Sequence, residues 1–213
     1  MHIPTADTDT LELLPFRDAL EKSGRRGDYD AARWLYVPDF YTEYRYILGT
    51  RGEKPLICIG VNPSTAAPDA LDPTLQSVQR IALSNGYDSF IMFNVYAQRA
   101  TRPNDMDAAL NERLHAENMA AFRYVLEASL PRRPAVWAAW GNIIEMRQYL
   151  PRCVSDMIAV GEEFCAEWFT AGKRSVKGHP HHPLYLRRDT PLDPFDVKNY
   201  IDTLKGRTHH AEL

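Results

Sequence analysis

Three places in this chain combine residue types that could do hydrolytic or binding chemistry. The first is Gly60-Val61-Asn62-Pro63-Ser64-Thr65, where an apolar run ends in a carboxamide followed by two hydroxyls. Such a turn can hold a water or a polar ligand, and Asn-Pro is equally ordinary turn chemistry. The second is Asn94, which closes the run Phe90-Ile91-Met92-Phe93. A carboxamide buried there needs hydrogen-bond partners, and a nucleobase presents donor and acceptor on one edge. The third is Gly178-His179-Pro180-His181-His182-Pro183-Leu184. Extended backbone sends neighbouring side chains to opposite faces, and no distant ligand set at metal-site spacing completes the cluster, so no metal is expected. A single neutral imidazole donating to a developing anion fits better, beside the plainer reading of a loop stiffened by two prolines. The dinucleotide pattern GxGxxG, the phosphate loop GxxxxGK and the nucleophile elbow GxSxG are all absent, so no cofactor is expected.

The elements that must position these residues are legible in part. Pro55–Val61 and Phe90–Val95 are continuous apolar runs, as is Ala135–Trp140, and each predicts a strand buried on both faces. Tyr41–Leu48 alternates and is aromatic-rich, predicting a strand with one solvated face. Asp72-Pro73-Thr74 reads as an N-cap with proline at the first helical position, opening a helix that ends at Asn85-Gly86. A second helix is expected over 104–129 and a third from Gly141-Asn142 to about Tyr149. Short strands are expected at 157–160 and 164–169. Strands alternating with helices predict a three-layer α/β/α domain around a central, mostly parallel sheet, with its ligand at the carboxyl ends of the strands.

Composition bounds the rest. The 213 residues carry 25 Lys+Arg against 28 Asp+Glu, a net charge of −3. The first thirty hold seven acids against four bases, the whole deficit, and read as an acidic extension before a single domain over 31–213. From 171 to 188 there are five bases (Lys173, Arg174, Lys177, Arg187, Arg188) and no acid, which permits a polyanion partner locally. Arg99 and Arg102 could hold phosphates or pair with Asp105 and Asp107. Trp137 and Trp140 could be core or base-stacking platforms. No stretch approaches the roughly 20 apolar residues of a membrane span. Three cysteines without CxxC spacing, and no basic-then-apolar leader, point to the cytoplasm.

The order of the pieces carries a resemblance. A strand ending Gly60-x-Asn62-Pro63, one ending in Asn94, one ending Trp140-Gly141, and a late His179-Pro180…Pro183-Leu184 together resemble the uracil-DNA glycosylase superfamily. More closely, these motifs with Asp72-Pro-Thr, Arg99-Ala-Thr and Pro183-Leu-Tyr-Leu resemble an uncharacterised bacterial and phage family, domain of unknown function sixteen-forty-three, over about residues 40–188. The glycosylase resemblance implies that Asn62 positions the attacking water and Asn94 binds the base edge. It further implies that His179 stabilises the departing base and that Leu184 is the wedge filling the gap left by a flipped nucleotide. Pro63, Ser64, Thr65, Trp140 and His182 join the substrate-binding set, and Arg99, Arg102, Lys173, Arg174, Lys177 and Arg187 the phosphate contacts. The late loop has one residue more than the superfamily's His-Pro-Ser-Pro-Leu, so either His179 or His182 is the functional histidine. Ser64 stands where the superfamily branch has glycine. The expected activity is hydrolysis of the N-glycosidic bond of uracil or a modified pyrimidine in single- or double-stranded DNA. The rivals are a hydrolase of free nucleosides or nucleotides and a non-catalytic nucleic-acid-binding module.

Overall fold

The computed structural model describes residues 1–210, with side chains through Lys205. In chain order, α1 (Phe16–Lys22) precedes β1 (Trp34–Val37), β2 (Ile47–Thr50) and β3 (Pro55–Gly60). Then come α2 (Pro73–Ser84), β4 (Ser89–Asn94), α3 (Glu112–Glu127), β5 (Ala135–Ala138) and α4 (Leu150–Glu163). The chain closes with β6 (Glu167–Ala171), β7 (Leu192–Pro194) and α5 (Val197–His210). Among the described residues no helix is long and apolar enough to cross a membrane.

The seven strands form one mixed sheet in the order β1-β2-β4-β3-β5-β6-β7. Its middle, β4-β3-β5-β6, is parallel. The pairs β1–β2, β2–β4 and β6–β7 are antiparallel, so the expectation of a mostly parallel sheet holds only for the centre. The edge strands are short: β7 carries no apolar run, and the four apolar residues of β1, Trp34-Leu35-Tyr36-Val37, are buried throughout but stand outside the longer runs read as strands. The sheet separates two apolar layers. Ile57, Ile59 and Phe93 face α1, α3, α4 and α5, whereas Leu56, Cys58 and Met92 face α2.

Caps and turns place several ends where the sequence predicts them. Asp72 accepts the Leu75 N–H at 2.9 Å, and Gly86 after α2 takes φ +78°, which glycine adopts without steric cost. The helix expected from residue 104 starts instead at 112: Asn111 caps it by accepting from Leu114 N, and 103–105 is a separate 3₁₀ turn. The strand expected at 157–160 lies inside α4, where Val154, Met157, Ile158 and Gly161 fall on one buried helical face. In 41–48 only Ile47 and Leu48 enter a strand. Tyr44 and Tyr46 turn inward and are buried rather than lining a solvated face.

Residues 1–30 are packed against the domain. Leu13, Phe16 and Ala19 are buried in the core. Asp107 is the anchor: its carboxylate accepts from Thr8 N–H and hydroxyl, from Tyr96 O–H at 2.8 Å and from Gln98 Nε2 at 2.9 Å. Replacing it orphans several buried donors at once. Asp107→Ala is expected to lower stability by about 2–4 kcal/mol in urea unfolding and to expose the first fifteen residues to limited proteolysis.

Candidate functional site

The parallel register sets Gly60 of β3 directly beside Asn94 of β4, so both strands deliver polar groups to the same place. Beyond the strands the pairing continues: Val95 and Tyr96 N–H donate to the Gly60 and Val61 carbonyls. The two strand-end loops are then stitched together. Asn62 Nδ2 donates to the Ala100 carbonyl at 2.7 Å, Ala100 N–H to Pro63 O at 2.9 Å, and the Ser64 and Thr101 hydroxyls meet at 3.1 Å. Across from them, the histidine loop is tied to α2, where Ser77 donates to the Pro183 carbonyl at 2.8 Å. Between these walls lies a cavity of about 630 Å³. That is within the range of small-molecule sites, and it sits at the strand ends where α/β sheets bind ligands.

Seven of the expected residues line this cavity together: Asn62, Pro63, Ser64, Thr65, Asn94, His182 and Leu184. Asn94 is 1 % exposed. Its amide orientation follows from its neighbours: Nδ2 donates to the Asn62 carbonyl at 3.2 Å and to the Phe93 carbonyl at 3.3 Å. Oδ1 is then left as an acceptor for a ligand N–H. Asn118 steadies this strand end by donating to the Asn94 and Val95 carbonyls. A Cβ at Gly60 would come within 2.7 Å of Met92 Cε, the mobile end of its side chain, and 3.3 Å of the Asn94 amide, so glycine leaves this strand end uncrowded. Asn62 likewise spends its Nδ2 on backbone carbonyls and keeps Oδ1 without a partner among the described residues.

The structure separates the three histidines. His181 is exposed, and among the described residues no group of three or more His, Cys, Asp or Glu side chains is placed to hold a metal ion. His182 lines the cavity, and its Nδ1 accepts the Leu184 N–H at 3.3 Å, which leaves the proton on Nε2 as a donor. Burial, with His181 beside it, pulls the His182 imidazole below its ordinary 6.5, against a weaker pull from Asp72, so the ring is neutral at neutral pH. His179 is the correction. It is completely buried, with Nδ1 2.9 Å from the Tyr200 hydroxyl and Nε2 3.0 Å from Glu145 Oε1. Trp140 is also core: its Nε1 donates to that same Tyr200 hydroxyl at 2.9 Å. A directional chain Trp140–Tyr200–His179–Glu145 results, extended by Lys177 on the Glu145 carboxylate. Burial of Glu145 works against its charge, but hydrogen bonds from Lys177 and His179 prevail and hold it below the usual carboxylate range. This chain fastens the histidine loop to α5; neither His179 nor Trp140 reaches the cavity.

The basic residues divide too. Arg99 is wholly buried, donating to the Ser64 and Ala66 carbonyls and the Tyr36 hydroxyl, with Tyr41 stacked 4.4 Å from its guanidinium. It braces the Asn62 loop and is not a phosphate contact. Arg102 is exposed between Thr101 and Pro103, both at the cavity wall. Lys173 and Arg174 are exposed, Arg187 pairs with Asp189, and none of these three lines the cavity.

Asp72, Tyr185 and Arg45 are the cavity residues outside the expected set whose side chains bear most on its chemistry. Asp72 is legible only as a helix cap, yet it is the one carboxylate lining the cavity among the described residues. Tyr185 stands at the mouth, 91 % exposed and at φ +70°, a backbone conformation costly for a tyrosine. Arg45, 1 % exposed, also lines the cavity. Its surroundings in the sequence, Tyr44-Arg45-Tyr46, resemble any amphipathic strand, so no local signal marks it.

The fold and site define an α/β protein with a mixed seven-stranded sheet and a polar cavity at its parallel strand ends. The chain belongs to the family described as protein of unknown function (DUF1643), matched over residues 45–184. That span opens on Arg45 and closes on Leu184, both cavity residues. No curated protein and no solved structure matches the chain.

Two outcomes follow. The depressed His182 pKa means the unfolded chain binds more protons, so this residue's contribution is present above about pH 6.5 and is lost as pH falls toward the folded value. His182→Gln is expected to flatten the fall in unfolding free energy below pH 6.5. His179→Ala, which removes buried His179 from between Tyr200 and Glu145, is expected to cost about 1–3 kcal/mol in urea unfolding at neutral pH.

Proposed function

We propose that the chain is an N-glycosidic hydrolase of the uracil-DNA glycosylase kind, acting on uracil or a modified pyrimidine in DNA. The observation that carries this reading is the convergence of Asn62, Asn94, a neutral His182 and the carboxylate of Asp72 on one cavity. Asn94 Oδ1 accepts an N–H from the base edge. Water held by Asn62 Oδ1 attacks the sugar C1′. The C1′–N bond breaks, its electron pair goes to the base, and His182 Nε2–H donates to the base oxygen on which negative charge grows. Asp72 faces the cationic sugar of an oxocarbenium-like transition state and takes the proton released by the attacking water. The base leaves as an anion and is protonated by solvent. Because such chemistry cannot occur inside a duplex, the base must be extruded. Leu184 is half-buried at the cavity, and exposed Tyr185 beside it is the better placed side chain to fill the vacated stack.

One observation favours a second reading, hydrolysis of free nucleosides or nucleotides. Of six basic residues expected on phosphates, Arg99 is buried, and Lys177 and Arg187 hold carboxylates, which leaves little continuous positive surface.

Base release from oligonucleotides carrying uracil, mismatched thymine or modified pyrimidines, single- and double-stranded, and from the matching free nucleotides, decides between them. Release from DNA is expected to fall by about 100-fold or more in Asn62→Ala. Asp72→Asn keeps the helix cap but not the charge, so it is expected to lose about 100-fold in rate with an unchanged melting temperature. Tyr185→Ala is expected to reduce release from duplex more than from single strands. Release from nucleotides alone would shift the assignment to the second reading. DNA binding without release would make the protein a non-catalytic module.

A further inference from the structure

Arg45 poses a problem that the hydrolytic reading leaves unsolved. Its guanidinium is 1 % exposed, yet among the described residues no carboxylate lies within 4.0 Å of it. Five N–H donors meet one acceptor: Nη1 donates to the Ala66 carbonyl at 3.0 Å, Nε is buried without a partner, and Nη2 has no protein acceptor. Burying a charge so poorly compensated is costly, and a hydrophobic side chain of similar volume would normally serve the fold at least as well.

Arg99 provides an internal control. It is equally buried and draws on the same Ala66 carbonyl, but it has two further acceptors and a tyrosine ring against its face. Nε of both arginines is buried without a partner, but both Nη groups of Arg99 find protein acceptors and Arg99 does not line the cavity, whereas Arg45 engages only Nη1 and does line it. The two guanidiniums repel. Burial first, and Arg99 second, push Arg45 down to about 9, so it is still a cation at neutral pH. Asp72 attracts it from beyond ion-pair distance and is already engaged as the cap of α2. The first turn of this twelve-residue helix, Pro73 to Leu75, forms part of the same wall and adds its positive dipole end.

We propose that Arg45 is an anion-recognition residue, and that the cavity takes a ligand carrying a carboxylate or phosphate group which Arg45 binds through its unused N–H groups. This rests on the cavity being the ligand site named above, but not on the reaction assigned to it. The substrate class is thereby narrowed to an acidic one. The negative group is either a charged substituent on the base, in DNA, or the 5′-phosphate of a free nucleotide, and the same guanidinium chemistry serves both.

The test uses the full chain, titrated with 2′-deoxyuridine, 5-carboxy-2′-deoxyuridine, dUMP and inorganic phosphate at matched ionic strength, read by calorimetry and thermal shift. One of the two anionic ligands, the 5-carboxy nucleoside or the nucleotide dUMP, is expected to bind about tenfold or more tightly than deoxyuridine. A 5-carboxy preference assigns the charge to the base, and a dUMP preference assigns it to the nucleotide phosphate. Arg45→Met is expected to erase the preference and the phosphate-induced thermal shift, and to melt no lower than wild type in anion-free buffer. Arg45→Lys retains part of the preference and carries the comparison if the methionine variant melts far lower. Equal wild-type binding of deoxyuridine, the 5-carboxy nucleoside and dUMP overturns the proposal whatever the variants do, and the hydrolase reading survives. An Arg45-dependent phosphate shift without binding of any nucleoside or nucleotide upholds the anion site and sinks the nucleobase reading. A phosphate shift and anionic preference that persist in Arg45→Met place the anion elsewhere and overturn the proposal.

Discussion

The site depends on the pairing of β3 with β4. Six residues of each strand run in parallel register from Pro55–Ser89 to Gly60–Asn94, both buried throughout except at the first residue of β3. Because strand partners are fixed at about 4.8 Å, ending the ladder on Gly60 and Asn94 brings the carboxamide against a backbone that has no Cβ to obstruct it. The Asn62 loop leaves from the same point and is tied to 94–101 by backbone and side-chain bonds. A one-residue slip would send Asn94 to the opposite face and bury its polar end among Ile59, Phe122 and their neighbours.

The second wall has a different origin. Residues 178–192 contain little regular structure, and they are held by partners on either side rather than by their own backbone. On one side α2 supplies Ser77, Ser84 and Asn85 to carbonyls of Pro183, Arg188 and Thr190. On the other the His179–Tyr200 contact joins the loop to α5. Polar residues at helix surfaces therefore take over the role that a strand ladder plays elsewhere, and they determine which histidine looks inward at the cavity and which is consumed as a fastener.

Electrostatics then give the cavity its character. It brings together one uncompensated cation, one carboxylate held by a helix cap, and a neutral imidazole with its proton fixed on Nε2 by a backbone donor. Arg45 is buried, so its charge acts at an effective dielectric well below that of the solvent.

What the sequence by itself determined is the centre of the sheet and the strand ends. The apolar runs of β3, β4 and β5, the Asp72-Pro73 start of α2 and its Asn85-Gly86 stop are short-range signals. They suffice to place Asn62 and Asn94 where a parallel sheet binds ligands. Tertiary structure alone decided the edge strand β7, the helix over Leu150–Glu163, and the fates of the charged and aromatic residues. Arg45 lies between two tyrosines and Arg99 just beyond a strand end, with no local sign of which faces the cavity; His179 and His182 lie three residues apart in one motif, and Trp140 closes a run like any other. Nothing local tells the cavity member of each set from the core member. That distinction is made by hydrogen-bond partners from distant segments, such as Tyr36 for Arg99 and Tyr200 for both His179 and Trp140, and a polar group's role depends on whether such a partner arrives.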